Sequence, residues 1–324
     1  MPTVTEKPVF YGGQAVVEGV MFGGKHVQVT AVRRKNGEIE LFETSVTTSP
    51  WMSTLKKIPF VRGIVTLIEA SASGAKHLQF ASERYEMDEE DIDPAEVRSS
   101  GSNLGTILGV AAVGILSLII GKVIFTAVPA FLASLLLDHW TKNLIIQNLF
   151  EGAIKVLLLL TYLWAISQTP LIKRLFQYHG AEHKVITSWE SGEELTVRNV
   201  QKHSTLHYRC GSSFIIFSVI VGVLVYSWFP YESVWDRILT RLLLIPVVIG
   251  ISFELLRATN AVKDNPYLSW LGLPGLWLQK LTTKEPTDDQ VEVAIAAFRR
   301  MRELDLQAET DSAVRQPSLA HTSG

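Results

Sequence analysis

Residues 144–166 read LIIQNLFEGAIKVLLLLTYLWAI, with Glu151 and Lys155 the only charged side chains. At about 1.5 Å per residue, a helix of this length crosses roughly 30 Å of bilayer hydrocarbon. Three further stretches read the same way. Leu104–Val128 is apolar except for Lys122, and after Pro129 the run AFLASLLL continues to Asp138, so one kinked span is expected there. Phe214–Phe229 is a short third candidate. Ile238–Leu256 is a fourth, with Arg241 at one end, Pro246 inside it and Glu254 at the other end. Composition agrees: 47% of the 324 residues are hydrophobic and 19% charged. The expected fold is an α-helical polytopic membrane protein with about four spanning helices, joined to an N-terminal α+β region that contains a β-hairpin.

Four spans place the N-terminal region, the 170–211 loop and the C-terminal tail on one side. That side carries Lys173, Arg174, Lys184, Arg198, Lys202, Arg209, Arg257 and Lys263; the opposite loops offer Lys142, Arg237 and Arg241. The positive side faces the cytoplasm, so both termini are expected there and the protein in the cell membrane. The lone Cys210 excludes an intrachain disulfide and suits a reducing compartment. Residues 1–20 show no apolar signal segment. A net charge of −2 with no concentrated basic face argues against nucleic acid as a partner. The expected partners are the lipid bilayer and either a second copy or another membrane protein. The chain divides into residues 1–103, a membrane part at 104–257 that includes the 170–211 loop, and a tail at 258–324.

In the first part, VQVTAVRRKNGEIELFETSV places Asn36-Gly37 between two strand-like runs, a strong hairpin signal. The glycines at 12, 13, 19, 23 and 24 match neither the P-loop nor the dinucleotide fingerprint, so turns and close backbone approaches are their expected use. Residues 60–86 read as a helix, on which Arg62, Glu69 and His77 are expected at a solvated surface. Residues 86–103 are acidic, then rich in Ser and Gly, and read as a linker. In the tail, Thr287 and Gln290 form a capping box ahead of a helix with Val291, Ile295 and Phe298 on one face. Beyond Asp305 the polar sequence is expected to be disordered.

The residues that can carry chemistry cluster in the 170–211 loop. In YHGAEHK, residues 178–184, His179 and His183 lie one helical turn apart, with Glu182 beside them. The order H-x-x-E-H is that of inverted zinc proteases, in which two histidines hold the metal and the glutamate is the base acting on its water. A third ligand must come from elsewhere. HSTLHYRC supplies His203, His207 and Cys210, all strong metal ligands. Glu254, near the cytoplasmic end of the fourth span, is another candidate; the competing reading is an ion pair with Arg257. Glu190, Glu193 and Glu194 are rival carboxylates on what reads as an exposed turn. A divalent metal, zinc by this ligand chemistry, is the expected cofactor.

The stretches GGQAVVEGVMFGG, PFVRGIVTLIEA, FQYHGAEHKVI, GEELTVRNVQKHSTLHYRCGSSF and PGLWLQKLTTKEPTDDQVEVAI together resemble the YqhQ family. The resemblance covers residues 8–302 and departs at Tyr208, where the family pattern has proline. It implies an uncharacterised bacterial multi-pass membrane protein of a group sometimes labelled metal-dependent enzymes, and supplies no substrate. Two readings of function stay open. One is a metal-dependent hydrolase with Glu182 as base, acting on membrane-associated peptide or lipid-linked substrates. The other is a non-enzymatic scaffold, regulator or assembly factor whose histidines are structural.

Overall fold

The computed structural model describes residues 11–46, 49–90, 120–121 and 123–315. Gly12–Val16 (β1), Gly19–Gly23 (β2), Val27–Arg33 (β3) and Ile39–Ser45 (β4) form an antiparallel meander in sequence order. The helices are Pro50–Leu55 (α1), Val61–Glu90 (α2), Val128–Leu137 (α3), Leu144–Ile166 (α4), Pro170–Glu190 (α5), Val197–Gln201 (α6), Ser213–Tyr226 (α7), Val234–Leu243 (α8), Ile245–Ala261 (α9), Leu273–Thr282 (α10) and Asp288–Arg315 (α11).

The region expected to hold one hairpin therefore holds four strands. The two-residue turn lies at Val17-Glu18, because Val16 pairs with Gly19. Glu18 takes a positive φ of 51° there, and Arg174 of α5 pairs with its carboxylate. At Asn36-Gly37 a hairpin forms as expected, but with a longer loop. Arg33 pairs with Ile39 and only Gly37 has positive φ, at 88°, so the two-residue geometry that needs two such residues is not used.

Each sheet face is covered by helix. On one, Val16 and Val32 meet Phe80 and Ala81 of α2. His77 of α2 is buried there between Thr30 Oγ1 at 2.7 Å and Thr44 Oγ1 at 2.9 Å, rather than lying at the surface. On the other face, Val20, Phe22 and Val29 join Tyr178, Ala181 and Val185 of α5 and Phe298 and Met301 of α11 in one core. Phe298 is its aromatic centre, with ring centroids 5.4 Å from Tyr11, 5.1 Å from Phe22 and 5.6 Å from Trp189. The capping box forms in part, Gln290 Oε1 accepting from the Thr287 N–H at 3.0 Å. The helix does not end at Asp305. It runs ten residues further, to Arg315, and Asp305 accepts the backbone N–H groups of Lys25, His26 and Val27 at 2.7, 2.7 and 3.2 Å.

The expectation of four spanning helices is overturned. Among the described residues only α4 is by itself long and apolar enough to cross a membrane. Helices α8 and α9 pass that test only as a pair, and they bend by 52° at Leu244. Pro246, which has no N–H to continue the ladder, opens α9. Helix α7 has 14 residues and α3 has 10. Most of the first expected span, Leu104–Val128, and the linker beyond residue 90 lie outside the described residues.

Polarity in this helical part is reversed. In α8, Arg237 and Arg241 are buried at 0% and 1% exposure, while Trp235 and Leu243 are 81% and 69% exposed. Both arginines meet Glu151 of α4, through Arg237 Nε at 2.8 Å and Arg241 Nε at 3.2 Å. Ser134, Tyr231 and Asn148 take further guanidinium hydrogens. Buried charge survives only when paired and hydrogen-bonded.

Asp305→Ala leaves three N–H groups at the β2–β3 turn without their acceptor. The expected loss is about 2–4 kcal/mol in the denaturant unfolding of the sheet–helix core. An unchanged midpoint would show that α11 is not fastened through this carboxylate.

Candidate metal centre

Helix α5 is set by its contacts at both faces. Pro170 occupies its first turn. Gly180 lets the segment after α10 lie directly against the helix: a Cβ there would sit 2.1 Å from Lys284 O. Lys284 N donates to Phe176 O at 2.9 Å, and the buried Lys184 reaches the Glu285 carboxylate at 2.7 Å and Gln201 O at 2.9 Å. These contacts bring Thr282 O to 2.8 Å from His179 Nδ1. One turn along, His183 Nδ1 lies 2.5 Å from Thr205 O.

A carbonyl only accepts, so each Nδ1 carries the proton, and each neutral ring keeps its lone pair on Nε2. His179 Nε2 is 3.2 Å from Cys210 Sγ, and the two histidine rings are 4.5 Å apart. The ligand atoms of His179, His183 and Cys210 all lie within 4.8 Å of one another. Among the described residues this group alone brings three such side chains together in that way. Its donors suit zinc: two imidazoles oriented by backbone carbonyls and one thiol. Cys210 Sγ also lies 3.0 Å from Ser212 Oγ and accepts from the Ser212 N–H at 3.4 Å. Burial holds His183 below the usual imidazole range, the Cys210 and Thr205 hydrogen bonds opposing that shift, and a neutral ring is the form that binds metal.

Glu182 is buried at 6% exposure beside this group. Desolvation raises its pKa, while nearby His179 and the Gly13 N–H act in the other direction. Gly13 is required for the fit, since a Cβ there would stand 2.9 Å from Glu182 Cγ. A cavity of about 330 Å³ opens here, lined by Tyr11–Ala15 and by His179, Glu182, His183, His207 and Cys210.

The other expected ligands are placed elsewhere. His203 Nε2 is 3.3 Å from Glu193, on the outside of the loop. His207 stands next to the group, its ring 5.7 Å from His183, but its Nε2 faces Glu190 at 3.6 Å. Although burial alone raises the Glu190 pKa, hydrogen bonds from His207 and Arg209 hold it down at about 2, so it stays charged against them. Glu254 is tied to Arg62 Nε at 2.7 Å and to the Phe60 N–H at 3.1 Å. It pins α2 to α9 and lies outside the metal group; Arg257 adds a weaker charge interaction to the Arg62 pair. Tyr208, at the departure from the family pattern, packs its ring against Gly272, where a Cβ would come within 2.5 Å. The close approach expected of the glycines is met at Gly13, whereas sequence reasoning missed Thr205 and Thr282. Both act through backbone oxygens and leave no residue-type signal.

Residues 58–304 match the profile of a protein family of unknown function, DUF1385. The Uncharacterized protein YqhQ of Bacillus subtilis (strain 168) is 53% identical over 305 residues, covering 93% of this chain and 95% of that one. No solved structure matches the chain.

Zinc titration of purified variants separates the candidates. His183→Ala and Cys210→Ser are expected to weaken binding on the order of 100-fold or more, whereas His203→Ala and Glu254→Gln leave it within about twofold. Equal loss in His203→Ala would move the centre into the loop.

Proposed function

The chain belongs to the YqhQ family of uncharacterised proteins, and on that premise we propose that it is a metal-dependent hydrolase held in a lipid bilayer. The observation that carries the enzymatic half is the meeting of His179, His183 and Cys210 with Glu182 beside them. Zinc held by those three residues would supply Lewis acidity and a water that ionises near neutral pH. The residues of the chain supply the rest. Thr282 O and Thr205 O fix the histidine tautomers. Glu182, in its dehydrated position against Gly13, accepts the proton of the attacking water and returns it to the leaving atom. The walls from β1, α5 and residues 207–212 hold the substrate and limit water.

The reversed polarity of α8 supports the lipid half. Water favours the opposite arrangement, with arginine outside and Trp and Leu inside, whereas hydrocarbon favours apolar side chains outward and charges paired within. Exposed Trp140, Trp164, Trp228 and Trp235 suit bilayer interfaces. The basic residues around α5 favour a cytoplasmic position for the metal group. A second reading, a scaffold, regulator or assembly factor whose histidines are structural, draws on the hydrogen bonds that Cys210 already makes with His179 and Ser212.

Glu182→Gln keeps the shape and removes the base. Zinc-dependent hydrolysis of the small ester p-nitrophenyl acetate is expected to fall about 10²–10⁴-fold with zinc content unchanged; undiminished turnover favours the scaffold. In cell fractions the full chain is expected to remain with membranes through alkaline carbonate washing, and release into the wash contradicts the bilayer placement.

A further inference from the structure

The two edges of the sheet are built differently. The β4 edge, IELFETS, carries Glu40 and Glu43, and charge on an edge strand discourages pairing with another chain. The β1 edge, GGQAV, carries neither charge nor proline. Among the described residues no strand covers it, and β1 pairs with β2 alone.

Register gives the direction of its backbone groups. The Val16–Gly19 pair closes the two-residue turn, so Gly12, Gln14 and Val16 point their N–H and C=O groups at β2. Gly13 and Ala15 point theirs outward. The Gly13 N–H agrees with this alternation, since it faces Glu182. The Gly13 C=O and both backbone groups of Ala15 make no hydrogen bond with another described residue. Among the described residues a Cβ on Gly12 would meet no atom within 4 Å, whereas one on Gly13 would meet Met21 O at 2.6 Å and Glu182 Cγ at 2.9 Å. Four consecutive residues, Gly12 to Ala15, line the same cavity as His179, Glu182, His183 and Cys210.

We propose that the substrate is an extended polypeptide segment that adds to the free edge of β1 and is thereby laid across the metal ligands. The inference rests on the hydrolase reading and names its substrate class. Outward groups repeat every second residue, about 7 Å apart, and an extended peptide backbone matches that repeat in both donors and acceptors. A sugar or an acyl chain does not. Tyr11, Leu175, Phe176 and Ile186 give the cavity apolar walls for side chains. In the reaction the peptide C–N bond breaks, the water oxygen bonds to the carbonyl carbon, and a water proton passes through Glu182 to the leaving nitrogen. No electrons are exchanged.

The test reads binding rather than turnover. Hydrogen exchange of β1 is followed in zinc-loaded Glu182→Gln protein with and without β-casein, an unfolded polypeptide. Casein is expected to slow the Ala15 amide at least about tenfold. Ala15→Pro removes the outward N–H and spares the β2 pairing, so it is expected to bind casein about tenfold more weakly while holding zinc as the wild type does. Casein binding without slowed exchange in β1, equal casein affinity of Ala15→Pro, or no casein binding would each overturn the inference. The hydrolase reading is scored separately on p-nitrophenyl acetate, which is too small to pair with a strand. Zinc- and Glu182-dependent ester hydrolysis without β1 protection therefore removes the peptide alone.

Discussion

Two backbone carbonyls decide what the two histidines of α5 can do. Thr282 O takes the Nδ1 proton of His179, and Thr205 O takes that of His183. In the neutral form each ring then carries its lone pair on Nε2, and the His179 Nε2 faces Cys210. Each carbonyl has to be delivered by a different segment. Gly180 lets the first lie against α5. Gln279 holds the second, donating to His207 O at 2.8 Å and accepting from the His207 N–H at 2.9 Å. The sheet, the tail helix and α6 pack against α5, so the geometry of the centre depends on segments far apart in the sequence.

The chain has two interiors of opposite character. Around the sheet, apolar side chains are inside and ion pairs such as Arg300–Glu43 lie outside. Around α4 and α8, Glu151, Arg237 and Arg241 are inside and large apolar side chains are outside. Residues 170–211 and α10 lie between the two regimes.

Local signals were legible in the sequence where the physics is local. The capping glutamine of α11, the apolar stripe of Val291, Ile295 and Phe298, and a turn at Gly37 all depend on neighbours a few residues away. Span counting failed because hydropathy sums composition over a window and does not see that the helix breaks at Leu244. His203 and His207 stand four apart, yet the chain there is turn and loop, so helical spacing brings neither into the group. Cys210 could be named as one of several ligands but not chosen among them, because its approach to His179 is fixed by long-range packing. Glu254 is paired with a residue 192 positions earlier, beyond the reach of any local pattern.

The central claim, that His179, His183 and Cys210 form one metal centre, is met most directly by X-ray absorption at the zinc edge of the loaded protein. The account predicts one sulfur at about 2.3 Å and two imidazole nitrogens at about 2.0–2.1 Å, with one further light atom. A shell of nitrogen and oxygen alone, unchanged by Cys210→Ser, would contradict it.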